Sequence, residues 1–147
     1  MSSSLVPKRI MIPVDLSERA EAGVGYAAML AGEIGADLLV MTNVHAAEKE
    51  VLEEFAGVEH ISVTEAGQVA LQRLVSKAAP SVRSELDLRF RENAAAGILE
   101  AAQDGDADMI VMTSHGRGGM SKWLLGSVAE KVVRESPVPV VVVPARD

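Results

Sequence analysis

The sequence predicts an α/β fold: a doubly wound, five-stranded parallel sheet with helices on both faces. Three observations lead there. Short apolar runs rich in branched residues alternate with longer segments of helical spacing along the whole chain. Helix-starting and helix-ending residues stand at the junctions between them. Strands separated by helices imply right-handed crossovers, hence a parallel sheet covered on both sides.

The elements follow in order. "RIMIPV" (9–14) is an apolar, branched run and reads as the first strand. Asp15, Ser17 and Glu18 then supply helix-start chemistry for "AEAGVGYAAMLAGEIGA", which should stop near Gly35. "DLLVMTNV" (37–44) reads as a second buried strand, and 45–62 as a loop with helical content. "TEAGQVALQRLVSKAA" opens with Thr64 and ends at Pro80, with Val69, Leu71, Leu74, Val75 and Ala78 near helical spacing. "ELDLRF" (85–90) alternates polar and apolar, as expected of a strand nearer the sheet's edge. Asn93 caps "AAAGILEAAQ", and the turn "DGDAD" leads into a fourth strand, "MIVMT" (109–113). A glycine-rich loop, a helix through Glu135 and a fifth strand (138–143), fenced by Pro137 and Pro144, complete the chain. No linker or long repeat divides it, so 1–147 reads as one domain.

Composition narrows the function. The 147 residues are 48% hydrophobic and include no cysteine, which removes disulfides and thiolate chemistry and leaves zinc only three scattered histidines. "MSSSLVPKRIMIPV" lacks the apolar region of a signal peptide, and the longest apolar run, "VPVVVVPA", is far short of the roughly 20 residues a membrane span needs. The expectation is a cytoplasmic protein with no membrane partner. Net charge is −7, yet 113–134 carries Arg117, Lys122, Lys131 and Arg134 against Glu130 alone, a local +3 that leaves −10 elsewhere. That balance argues against nucleic acid, which needs a broad basic face, and suits a small anion held at one spot. Chance clumping of surface charge is the plainer account.

Ligands in such sheets bind beyond the carboxyl ends of strands where strand order reverses. Asp15 leaves the end of the first strand, and "MTSHGRGGMSKWLLGS" (112–127) leaves the end of the fourth. The loop has no P-loop spacing. "GVGYAA" (23–28) matches G-x-G-x-x-A, but it lies inside the first helix and the second strand ends in Asn43 rather than an acid, so close packing explains it better. No G-x-S-x-G elbow exists, because Met112 and Leu125 stand where its first glycine would precede Ser114 and Ser127. What remains is Thr113-x-x-Gly116, nine residues, then Gly126-Ser127.

That pattern resembles the nucleotide signature of the universal stress protein family, G-x-x-G, nine residues, G-[S/T]. The likeness extends over nearly the whole chain. "IPVDLSE", "ADMIVMTSHGRGG", "LLGSVAEKVV" and "PVPVVVV" are similar to the family's first turn, fourth strand and loop, last helix and last strand, while 46–93 matches weakly. The resemblance implies a Rossmann-like sheet of the adenine nucleotide alpha hydrolase type that binds ATP or another adenine nucleotide with Mg2+ or Mn2+. Carried over by motif, Pro13, Val14, Asp15 and the backbone around Val44 would hold adenine. Met112 and Thr113 would lie near adenine and ribose, and Gly116, Arg117, Gly126, Ser127 and Val128 would take the phosphates.

Physical chemistry is consistent with this. Gly126 and Ser127 begin a helix, where unpaired amides and a positive dipole end favour an anion, and the serine hydroxyl adds a donor. Gly116 lets backbone approach an anion, and Arg117 offers a charge-assisted contact. Duller readings stand beside these: Asp15, Ser17 and Ser127 as helix caps, His115 as a solvated residue without a chemical role, and Trp123, Leu124 and Leu125 as a docking patch. Thr113 departs from the signature's first glycine. If that position needs φ > 0, threonine costs about 1 kcal/mol or more; if it is extended, threonine fits and its hydroxyl can reach the ribose.

The expected protein is a binding module, a stress-response sensor or regulator with at most weak ATP hydrolysis, since no paired carboxylates or base stand near the phosphates. The alternatives are a dimeric scaffold of the same family that binds no nucleotide, and an adenylate-transfer enzyme on the same fold. The final strand carries no charge between Val138 and Val143 and should lie at an edge, where the same strand of a second copy can cover it antiparallel about a two-fold axis. The resemblance also implies dimers through this strand.

Overall fold

The computed structural model describes residues 5–16, 20–44, 53–54, 57, 62–114 and 125–144. Strands β1 (Arg9–Val14), β2 (Asp37–Asn43), β3 (Ser84–Arg89), β4 (Met109–Thr113) and β5 (Val140–Val143) form one sheet of order β3-β2-β1-β4-β5. Every pairing is parallel. Helices α1 (Ala20–Ile34), α2 (Val63–Ala78), α3 (Ala94–Asp104) and α4 (Ser127–Glu135) lie between the strands in sequence.

Strand residues alternate between two apolar cores. Ile10, Ile12, Leu38, Val40 and Val111 pack with Val24, Ala27 and Ala31 of α1 and Leu71 and Leu74 of α2. Met11, Leu39, Met41, Ile110 and Met112 pack with Ile98, Ala101 and Ala102 of α3 and Ala129 and Val132 of α4. A strand covered on both faces has no polar side to present, which is why β1, β2 and β4 are written in almost uninterrupted apolar residues. Each fully buried Ile, Leu or Met contributes roughly 1.5–3 kcal/mol, and these three strands supply most of the large, fully buried side chains among the described residues.

Local chemistry sets the element ends. Gly35, at φ 72, turns the chain out of α1 while Ala36 N–H returns to Ala31 O at 2.8 Å. Asn93 caps α3 as expected, its Oδ1 accepting Ala96 N–H at 3.0 Å. The cap of α2 is Ser62 rather than Thr64: Ser62 Oγ accepts Glu65 N–H at 3.1 Å, and the helix starts at Val63. β3 is set one residue earlier than its alternation indicated, leaving Phe90 exposed beyond it. β5 starts at Val140, because Ser136 Oγ donates to Val138 O at 2.7 Å and accepts Val138 N–H at 3.1 Å, closing a local turn before the strand. Of the segment read as loop with helical content, Glu53 and Glu54 are helical and most of the rest lies outside the described residues.

The amino end of the sheet is stapled. Asp108 Oδ2, just before β4, accepts the N–H groups of Lys8 at 2.8 Å and Arg9 at 3.0 Å. Arg9 Nη1 donates to Gly105 O at 3.0 Å, and its other nitrogen meets Glu85 at 2.9 Å. The two edges of the sheet differ in chemistry. On β3, Arg89 holds Asp87 through two hydrogen bonds of 2.8 and 3.0 Å and reaches Asp104 of α3 at 2.9 Å. The Asp87 hydrogen bond, opposed by burial and reinforced by Asp104, raises the guanidinium above its ordinary value. β5, at the other edge, has no charged residue.

One consequence is measurable in α1. Gly32 is exposed in the helix interior, and a Cβ there would meet nothing within 4 Å. Gly32→Ala should therefore raise the unfolding free energy by about 0.5–1 kcal/mol, seen as a higher urea midpoint at unchanged slope. A lower midpoint would mean that α1 needs the glycine.

Candidate functional site

The site begins with a missing donor. Lys8 C=O points toward β2, where it accepts Asp37 N–H at 3.0 Å, and Arg9 C=O points toward β4, accepting Asp108 N–H at 2.9 Å. In a parallel strand the polar groups of successive residues alternate between neighbours, so Pro13, of the same parity as Arg9, faces β4 and has no N–H to give. The β1–β4 register ends at Met11↔Ile110, whereas β1 and β2 stay paired to Val14↔Thr42. The two central strands thus part at their carboxyl ends, at the point where strand order reverses. Pro13 was expected as a contact residue; its firmer role is to end the ladder.

On the β1 side, Thr42 Oγ1 donates to Val14 O at 2.8 Å from a position only 2% exposed. Asp15 follows, half-buried, and then Leu16 at φ 58 with its side chain 4% exposed. A left-handed leucine costs roughly 1–2 kcal/mol, offset here by its apolar burial. The described part of α1 begins at Ala20. Ser17 lies outside the described residues. Val44, at the end of β2, is buried and donates its N–H to Arg89 O at 2.7 Å, so a contact with a ligand would run through its carbonyl or side chain.

On the β4 side, Thr113 is the last strand residue, in register with Val143. Among the described residues only Leu16 and Asp106 are non-glycines in the left-handed region, so Thr113 carries no backbone strain. Its methyl faces α1: a Cβ on Gly23 would stand 3.4 Å from Thr113 Cγ2. Gly23, the first glycine of "GVGYAA", is a packing residue in α1, buried against β1 and β4.

The next residue ties the loop shut. Ser114 N–H donates to Val143 O at 3.0 Å, and Ser114 O accepts Gly126 N–H at 2.7 Å. The neck brings the two halves of the signature together and corrects one expectation: the Gly126 amide is not an unpaired donor. Gly126 is the N-cap of α4, at φ −62 and ψ 155, without a side chain to cap it, and its carbonyl accepts Glu130 N–H at 2.8 Å. The amides left without an intrahelical partner are those of Ser127, Val128 and Ala129. Ser127 is thus the first helical residue and not a cap. Leu125 is half-buried against the α3–α4 core, in keeping with a docking patch. Gly116 and Arg117, with His115, Lys122, Trp123 and Leu124, lie outside the described residues.

The described residues hold no group of three or more metal-ligating side chains, nor any helix long and apolar enough to cross a membrane. Among the described residues, those that flank the parted strand ends include Asp15 after β1, Thr113 at the end of β4 and the helix-start amides of α4. Such a set can bind an uncharged hydrogen-bonding group at one end and an anion at the other. Thr42, Leu16 and Ser114 are site-building residues that motif reading passed over; a polar residue in the apolar run "DLLVMTNV" was the available signal for Thr42.

Pro13→Val tests the role given to proline. The new amide at position 13 should be protected from hydrogen exchange as the β1–β4 ladder lengthens, and an amide that exchanges at the solvent rate would refute it.

Comparison with known proteins gives a consistent result. The model of the universal stress protein family matches residues 7–144. Universal stress protein MJ0531 of Methanocaldococcus jannaschii is 34% identical over 139 residues, covering 92% of this chain and 81% of the relative. A universal stress protein crystallised in complex with cAMP superposes with a TM-score of 0.66 at 20% identity, covering 95% of this chain and 98% of that one. One from Archaeoglobus fulgidus in complex with dAMP gives 0.65 at 22% identity, covering 94% and 98%. At these identities the solved structures establish the shared fold.

Proposed function

The chain belongs to the universal stress protein family, and on that premise we propose that it binds ATP or another adenine nucleotide and acts as a sensor or regulator in a stress response. The observation that carries this reading is the neck between Ser114 and Gly126, which sets the start of α4 beside the parted ends of β1 and β4. Solved relatives of the same fold hold cAMP and dAMP, which supports an adenine ligand.

In this reading Pro13, Val14, Asp15 and Val44 surround the base, and Met112 and Thr113 lie against base and ribose. Gly116, Arg117, Ser127 and Val128 take the phosphates, with Gly126 giving close approach to the helix start. A divalent ion, Mg2+ or Mn2+, is proposed to enter with the phosphates, since the described residues offer no cluster to hold it alone. On this proposal the protein is a binding module whose ATP hydrolysis is at most weak. Residues 1–147 are taken as one domain, working in the cytoplasm. The scaffold alternative drew on the departure at Thr113; the strand backbone there, outside the left-handed region, supports a threonine that fits the site.

Calorimetry with ATP and magnesium should give a micromolar dissociation constant, and Gly126→Val with Ser127→Val should weaken it at least tenfold, about 1.4 kcal/mol. Absence of saturable heat at millimolar ATP would sink the nucleotide reading and promote the scaffold. Thr113→Gly should leave affinity within about threefold, because threonine is unstrained there; a large gain would mean its side chain obstructs the ligand.

We also propose a homodimer through β5, whose Val140–Val143 run is uncharged and only half-buried at the sheet's edge. Val142→Lys should shift the mass by light scattering from dimer to monomer. A wild-type monomer at tens of micromolar, or a lysine variant that stays dimeric, would count against this interface.

A further inference from the structure

The carboxyl end of β1 is held with more care than a strand end requires. Past Met11 it has lost β4, and its last registered partner is Thr42 of β2. A strand end with one neighbour frays unless something fixes it. Thr42 does so from beneath, its hydroxyl donating to Val14 O at 2.8 Å. Thr42 and Ser114 are the only buried polar side chains among the described residues, and Thr42 is the more enclosed, at 2%. A buried hydroxyl needs a partner, and this one takes the carbonyl one residue before Asp15.

Leu16 fixes the other side. Its backbone sits at φ 58, where glycine would be the easier choice, and its side chain is buried in the cluster that includes Ile12, Val24 and Val44. Glycine there would remove the strain and also the anchor. A bulky residue keeps such a conformation only where its surroundings over-determine it.

We infer that Thr42 and Leu16 are positioning residues for Asp15, pinning the backbone one residue to either side so that its carboxylate is held for the base of an adenine nucleotide. The inference rests on the nucleotide reading above. Thr42 and Leu16 are both buried and act through the backbone on either side of Asp15. Their effect is on choice of base as well as strength. A fixed carboxylate accepts the exocyclic N–H of adenine and meets the carbonyl oxygen that guanine presents at the same edge, so it favours one and repels the other. A loose carboxylate turns aside and discriminates less.

The experiment titrates ATP and GTP, each with magnesium, into the full-length protein and four variants, and follows the Asp15 backbone amide by NMR without nucleotide. Thr42→Ser keeps the hydroxyl and should keep ATP affinity within about twofold. Thr42→Val keeps the shape without the hydroxyl and should lose about tenfold for ATP and less for GTP, so that the preference narrows. Leu16→Gly should narrow it likewise, and Leu16→Met, which keeps an apolar anchor, should not. In the free protein the Asp15 amide should become more mobile in Thr42→Val and Leu16→Gly only. Thermal melts confirm that each variant folds. If Thr42→Val and Leu16→Gly keep the wild-type ATP-to-GTP ratio, whatever their melting temperatures, the two residues are structural and the inference fails. If the wild type binds neither nucleotide, the functional reading falls and with it the role of the base; an Asp15 amide that still loosens would preserve the pinning itself.

Discussion

A proline in a central strand withholds one donor from the ladder, and the rest of the site is arranged around that gap. Pro13 faces β4 without an N–H, and the β1–β4 register ends two residues earlier, at Met11↔Ile110. At the opposite end the same two strands are joined by the Asp108 carboxylate, which takes two amides of the chain entering β1. The sheet is therefore closed at one end and open at the other. Opening both would leave β1 without a neighbour on that side; closing both would leave no crevice where strand order reverses. The stapled end lets the open end exist without unravelling the pairs between.

Much of this was legible in the residues. Apolar runs gave β1 and β4 to the residue, since strands buried on both faces leave little choice of side chain, and Gly35 and Asn93 marked helix ends through chemistry that acts within a few positions. Errors arose where a distant or competing partner decided. Ser62, not Thr64, reached the free amide of α2. Ser136 took both polar groups of Val138 and shortened β5. The Gly126 amide was read as unpaired because nothing near it in sequence reveals that Ser114, twelve residues earlier, is its acceptor.

The candidate site divides along the same line. The start of α4 was legible because helix starts have a local signature, while Gly116 and Arg117 lie outside the described residues. The surroundings of Asp15 at the end of β1 were not legible. The φ of Leu16 has no signature in an ordinary leucine, and Thr42 passes as one more strand residue until its hydroxyl is seen on Val14 O. The duller reading of Ser127 as a cap loses its ground once Gly126 holds the cap position.

The two margins of the sheet have unequal chemistry, and that inequality limits growth. β3 carries Glu85, Asp87 and Arg89, with the last two locked into a charged network that an incoming strand would have to break. β5 offers four valines and no such resistance. A molecule with two receptive margins can join copies end to end into a continuous ribbon, as cross-β assemblies do. With one margin receptive and the other refusing, a two-fold association consumes the only available edge and ends there. The charged network on the far margin thus opposes growth of the sheet on that side.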